Sequence, residues 1–132
     1  MSTSVVDLAR LHKSLGDETR LRIIHLLAHK GELCVCDVES ILSISQSKAS
    51  RHLTYLKHSG AAIDRRDGTW VYYRLGPGSV LRSAVRQIKQ ALADDKQAQR
   101  DLVRAQKLDR SPDCLPIKIV TEQSTKNTKR RA

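Results

Sequence analysis

Apolar residues recur at three- and four-residue intervals through the first sixty positions, alternate over a short stretch, then return to helical spacing. Val5, Leu8, Leu11 and Leu15 predict an amphipathic helix over residues 4–15. Gly16 interrupts it, and Asp17 is a good N-cap for the next helix. Leu21, Ile23, Ile24, Leu26 and Leu27 fill several faces of that second helix, which predicts a central place in the core. It ends near His29, Lys30 and Gly31, with cations in the last turn and glycine just past it. Val35, Val38, Ile41 and Leu42 predict a two-turn helix over 35–42. Beyond the turn Ser43-Ile44-Ser45, Ser45 caps a helix over 46–58 that turns Ala49, Leu53 and Leu56 inward and stops at Ser59 and Gly60.

Two helices joined by a three-residue turn match helix-turn-helix spacing. Residues 61–66 and 69–75 then flank Asp67-Gly68, a preferred dipeptide for a tight hairpin turn, so a β-hairpin wing follows the second of those helices. Gly76, Pro77 and Gly78 break the chain. One long helix is expected over about 79–108, with Leu81, Val85, Ile88, Leu92, Leu102 and Val103 as its apolar positions. The expected fold is mainly α with a β-hairpin wing, a winged helix-turn-helix. Residues 1–108 are expected to form the DNA-binding and dimerisation domain, and 109–132 to be a basic, flexible tail.

Composition sharpens this picture. With no Phe, one Trp and three Tyr, the core of this 132-residue chain rests on Leu, Ile, Val and Ala. That suits a helical domain, and lone domains of this kind often bury more apolar surface as homodimers. Lys and Arg number 24 against 14 Asp and Glu, a formal charge of +10, which points to a polyanionic partner. Lys48, Arg51 and Lys57 fall in residues 46–58 with no acidic residue among them. No apolar run approaches the roughly 20 residues of a membrane span, and the N-terminus lacks signal-peptide character. Three cysteines without export signals point to reduced thiols in the cytoplasm.

A DNA-reading helix needs polar side chains at its N-terminal end and an apolar face against the preceding helix. Gln46, Ser47, Lys48, Ser50, Arg51 and His52 meet the first need. Gln can bond adenine bidentately, Arg and Lys can bond guanine, and the helix N-terminus attracts phosphate. Arg65 and Arg66 on the wing are placed to meet the DNA backbone or the adjacent minor groove. Just upstream, Cys34 and Cys36 put two soft thiolates one residue apart at a helix start, where the dipole favours thiolate over thiol. Soft thiolates select thiophilic ions over hard cations. On a regular helix, residues two apart diverge by about 200°. Sharing one ion therefore requires the segment to be non-helical, or the first turn of the 35–42 helix to unwind and disturb the helix behind it.

Glu32-Leu33-Cys34-Val35-Cys36-Asp37, the run from Ser45 to Leu53, Asp67-Gly68 with Trp70 to Leu75, and the stretch from Leu15 to Ile23 resemble the ArsR/SmtB family of metal-responsive repressors, closest to arsenical-resistance operon repressors. The resemblance spans about Leu11 to Leu75. It implies a winged-helix homodimer, paired through its first and last helices, that represses an operator until an inducer binds. Arsenite (As(III)) and antimonite (Sb(III)) are the implied inducers, with no catalytic cofactor. Arsenite-responsive members carry a third cysteine three residues after the pair; Glu39 stands there in this chain. Trivalent arsenic prefers three thiolates, and Cys114 is the remaining thiol, so it is a candidate third ligand, by analogy with relatives that recruit a thiolate from a terminal segment.

Three other readings compete. A cadmium- or lead-responsive repressor of the same family shares the Cys-x-Cys pair, whereas zinc-sensing relatives use histidines on the long last helix and this chain has none between 79 and 108. A thiol redox switch could form disulfides among the three cysteines. Enzyme chemistry is not expected, because no general-base constellation surrounds the thiols. His25 and His29, four apart on the second helix, are a candidate ligand pair, but with no matching third ligand they are read as ordinary, partly exposed residues.

Overall fold

The computed structural model describes residues 3–108, so the basic segment at 109–132 and Cys114 lie outside the described residues. Helix α1 (Val5–Leu15) starts one residue later than expected, after Ser4 as its cap, and α2 (Glu18–Lys30) starts after the expected Asp17 cap. The Ser4 hydroxyl accepts from the Asp7 N–H and the Asp17 carboxylate from the Arg20 N–H, each at 3.0 Å. Gly31 ends α2 at φ +88°, in the left-handed region that favours glycine. Ile23, Ile24, Leu26 and Leu27 are fully buried, which makes α2 the axis of the core.

Helices α3 (Val35–Leu42) and α4 (Gln46–His58) form the helix-turn-helix, with Ala49, Leu53 and Leu56 of α4 sealed against the core. Ser45 caps α4 by accepting from the Lys48 N–H. Between α2 and α3 lies an element the helical spacing hides. Residues Glu32–Cys34 form a short strand, β1. It joins β2 (Ala62–Asp67) and β3 (Trp70–Leu75) in a three-stranded antiparallel sheet of order β1-β3-β2. The wing is therefore anchored along its inner edge by the residues that precede α3.

The hairpin turn sits one residue later than expected. Asp67 pairs with Trp70, so the turn residues are Gly68 and Thr69, and Gly68 supplies the required positive φ of +66°. The Gly76 N–H donates to the Ala61 carbonyl, closing the base of the wing onto the end of α4.

The single long helix over 79–108 is also corrected. The chain forms α5 (Ser79–Ala91) and α6 (Lys96–Leu108), separated by a turn at 92–95. Asp95 starts α6 by accepting from the Ala98 N–H at 2.9 Å, and α6 packs on α2 and α3. Its buried face is Ala98, Asp101 and Ala105, whereas Val103, expected inward, is half exposed. Asp101 is buried because Arg22 of α2 forks onto both its oxygens, at 2.9 and 2.8 Å, and Gln97 adds a third donor at 3.0 Å. Among the described residues no helix is long and apolar enough to cross a membrane.

Candidate DNA-binding face and thiolate site

Helix α4 presents Gln46, Ser47, Lys48 and Arg51 to solvent, with Ser50 half-buried. His52 behaves differently from the rest of the predicted set. Its ring turns back toward α2, with Nδ1 3.9 Å from the Asp17 carboxylate and 3.5 Å from the Arg20 guanidinium. Burial pulls its pKa below the ordinary imidazole value, against the nearby Asp17 charge. His52 is thus a packing residue between α4 and α2 as well as a member of the reading helix.

Arg20 is a residue the sequence reasoning passed over. It donates to the Ser14 carbonyl at 2.7 Å and lies 3.9 Å from the Tyr55 ring centroid, so one cation ties the end of α1 to the outer side of α4. Its signal was present only as an arginine three residues after the Asp17 cap.

On the wing the two predicted arginines part company. Arg66 is exposed. Arg65 is committed inside the sheet: its guanidinium forks onto Glu32 of β1 at 2.8 and 2.7 Å and lies 4.6 Å from the Tyr72 ring centroid. The paired carboxylate raises the Arg65 pKa further. Arg65 is therefore first a strap between the wing and β1. Lys57 of α4 makes a second strap, to Asp64 of β2 at 3.1 Å.

The Glu32–Arg65 strap ends two residues from Cys34. Cys34 pairs with Tyr72 of β3, and Tyr72 pairs in turn with Arg65 of β2, so one transverse row of the sheet runs from a cysteine to the wing. Cys34 is also the N-cap of α3, with extended backbone angles of φ −90° and ψ 171°. Of the two arrangements open to the pair, a non-helical segment or an unwound first turn, the structure has the first. Because Cys34 stands outside the helix and Cys36 inside its first turn, the sulfurs converge at 2.8 Å without any unwinding. Asp37 braces the bend, its Oδ2 accepting the Cys34 N–H at 3.0 Å. Cys34 is 1% exposed and Cys36 half-buried, a site with one open side.

Cys34, Cys36 and Asp37 bring two sulfurs and a carboxylate within 4.8 Å of one another, and among the described residues they are the one group of three such donors so arranged. Asp37 is the carboxylate of this cluster, and Cys114, the expected third ligand, lies outside the described residues. Two thiolates that held one ion at about 2.3 Å, at angles between about 90° and 110°, would stand about 3.3–3.8 Å apart, wider than the pair is here. Tyr72 lies against this site; burial, and after it the Cys34 charge, push its phenol pKa up and keep it protonated. His25 is corrected as well: it is fully buried rather than partly exposed, while His29 is exposed.

Residues 17–61 match the family model described as bacterial regulatory protein, arsR family. Over 68 residues the chain is 56% identical to the arsenical resistance operon repressor of Escherichia coli, a match covering 52% of this chain and 58% of that protein. The chain thus spans little more than half the length of the curated relatives it matches. Among solved structures it resembles a homodimeric winged helix-turn-helix DNA-binding domain from Mycobacterium bovis, described as a possible ArsR-family transcriptional regulator. The two share 33% identity at a TM-score of 0.59, over 67% of this chain and 82% of that one. It also resembles the AntR antimony-specific transcriptional repressor, with 26% identity and a TM-score of 0.58 over 75% of this chain and 86% of that one.

Proposed function

The chain belongs to the arsR family of bacterial regulatory proteins, and on that premise we propose that it is a transcriptional repressor released from operator DNA by trivalent arsenic or antimony. The observation that carries the reading is the convergence of Cys34 and Cys36 at the seam between the wing sheet and the helix-turn-helix. Gln46, Ser47, Lys48, Ser50, Arg51 and Arg66 are the DNA-facing set; His52 and Arg65 position it. A second copy pairs through the first helix, whose outer face leaves Val5 85% and Val6 62% exposed. The homodimeric relative supports this assembly.

The inducer chemistry is thiol exchange at a metalloid. Arsenous acid, As(OH)3, takes the Cys34 and Cys36 thiols, forming two As–S bonds and releasing two waters, with no change in oxidation state. A third thiol displaces the last hydroxide as water. Cys114 is the proposed donor: it stands six residues beyond Leu108, a stretch that extends to about 20 Å. Helix α6 packs on α3, with Arg104 donating to the Ser40 carbonyl at 2.8 Å and to the Ser43 hydroxyl at 2.7 Å. That packing and the shortness of the intervening segment are what favour Cys114 as the third donor.

Opening the sulfurs moves the bend between β1 and α3. Two routes lead on from it: α3 packs on the reading helix α4, and β1 is strapped to the wing through Glu32 and Arg65. The inducer weakens DNA binding because it prefers the opened bend. Asp37 favours a second reading, since a carboxylate beside two thiolates also suits cadmium or lead. A cadmium resistance regulatory protein homolog of Staphylococcus aureus, 47% identical over 70 residues, keeps that reading in view.

The test is operator binding by fluorescence anisotropy in reducing buffer at fixed salt, titrated in parallel with arsenite and cadmium. Release by arsenite alone supports the metalloid reading. Release by cadmium alone moves the chain to the divalent sensors, and release by neither, from a protein that binds its operator, defeats both.

A further inference from the structure

We propose that Arg104 of α6 is a positioning residue for DNA reading: it latches the turn between α3 and α4 and so fixes how α4 meets its groove. The proposal rests on the operator-binding reading above and adds a residue outside the DNA-facing set. Arg104 is exposed, and one terminal nitrogen donates to two acceptors, the Ser40 carbonyl at 2.8 Å and the Ser43 hydroxyl at 2.7 Å. Both acceptors belong to the end of α3, 64 and 61 positions away along the chain.

That turn has two features that call for a latch. Ser43 is, among the described residues, the one non-glycine residue with a positive φ, at φ 56° and ψ 50°. Side chains other than those of Asn and Asp rarely hold this left-handed region, because Cβ crowds the backbone. Helices that end there usually do so on glycine. Here a serine does, and its hydroxyl is the group Arg104 grips. Ser40 adds an electrostatic reason. The last carbonyls of a helix lack intrahelical partners and carry the negative end of its dipole. The Glu39 carbonyl accepts from the Ser43 and Ile44 N–H groups, and the Ser40 carbonyl from Arg104. Helix α3 has no basic residue in its own last turn, so the cation comes from α6.

Arg104 can serve as a fixed arm because α6 is itself anchored. Asp101, three residues earlier, is buried under the Arg22 fork from α2. On the far side of the turn, Ser45 caps α4 and sets its start. A turn that leaves the left-handed region re-aims that start, so fewer molecules present α4 in the orientation that fits the groove. Apparent affinity falls in proportion to that fraction.

The test measures DNA affinity and amide exchange on the full-length chain. The DNA is a labelled duplex that the parent protein selects from a random-sequence pool. Arg104→Met keeps the side-chain stem and removes the donors. It should raise the dissociation constant roughly three- to tenfold, the scale of one lost hydrogen bond. The slope of log affinity against log salt should not change. Ser43→Gly makes the left-handed turn intrinsically favourable, and in that background Arg104→Met should cost less than about twofold. In the DNA-free protein the Ile44 N–H, which donates to the Glu39 carbonyl at 3.2 Å, should exchange several-fold faster in Arg104→Met. Unchanged Ile44 exchange, unchanged affinity, or an equal loss in the Ser43→Gly background overturns the latch. A slope reduced by about one also overturns it, because Arg104 is then a phosphate contact. A parent that selects no duplex defeats the operator-binding reading instead, and Ile44 exchange still decides the latch.

Discussion

Replacing Asp101 tests whether α6 is held by one buried ion pair. Asp101 is 1% exposed and the Arg22 side chain 28%, and the two meet in a two-bond fork across 79 positions of sequence. Asp101→Leu removes the carboxylate and leaves the Arg22 guanidinium without its partner and the Gln97 amide without its acceptor. Breaking a buried pair on one side costs 3–5 kcal/mol, and because water reaches part of Arg22 we expect about 2–4 kcal/mol. Asp101→Asn keeps the shape but turns an amide NH2 toward a guanidinium donor, so it falls in the same range. The double variant Arg22→Met with Asp101→Leu removes both charges together and should return to within about 1 kcal/mol of the parent. The assay is urea unfolding followed by circular dichroism at neutral pH, with every variant at the same protein concentration, because dimerisation makes apparent stability concentration-dependent. With each single substitution in that range and the double close to the parent, the coupling from the double-mutant cycle is expected at about 3 kcal/mol or more. If each single substitution costs less than about 1 kcal/mol and the two simply add, the pair is not what docks α6, and apolar packing through Ala98 and Ala105 carries the helix instead.

The other predictions are smaller in scope. Glu32→Gln loosens the strap to Arg65 and should cut the fold-release by arsenite, relative to the variant's own inducer-free affinity, roughly fivefold, read by anisotropy with and without inducer; full release would eliminate the wing as a route. Lys48→Ala should lower the slope of log affinity against log salt by about one, with little change in sequence preference. Gly76→Ala drives a Cβ into the Gly60 carbonyl and should cost about 1–3 kcal/mol in the same urea assay. His25→Leu should stabilise the chain by about 1–2 kcal/mol, since it removes a buried polar group with no partner. Burial, then the His29 charge, depress the His25 pKa below 6.5, so as pH falls the unfolded chain takes up the proton first. Parent stability is therefore complete above pH 6.5 and declines below it toward the folded pKa, and His25→Leu should flatten that decline without abolishing it, because His29 and His52 are depressed too.

Much of the fold and half of the candidate site are legible in the sequence. Helices α1 to α4 announce themselves through apolar spacing, and α2 and α4 also through Asp17 and Ser45, whose side chains bond a backbone N–H three residues on. Those signals span a turn or two of helix, so they survive without tertiary context. The wing is similarly local, although register moved its turn from Asp67-Gly68 to Gly68-Thr69. The Cys-x-Cys pair and the exposed α4 residues are visible for the same reason: chemistry of that kind is written in consecutive residues.

What the sequence could not decide depends on partners far along the chain. Strand β1 exists because Glu32, Leu33 and Cys34 pair with Arg74, Tyr73 and Tyr72. That pairing holds Cys34 extended and lets two cysteines that a helix would splay by about 200° meet at one point. The break between α5 and α6 is stabilised by Asp101 reaching Arg22, and Asp95 was readable as a cap only once that break was known. The fates of His52, Arg65 and His25 were likewise set by neighbours on other elements. Local composition determined which segments form helices and which residues carry reactive or basic groups. Tertiary structure decided which of those groups face solvent, which are spent on each other, and which converge, because burial and pairing depend on distance in space rather than along the chain.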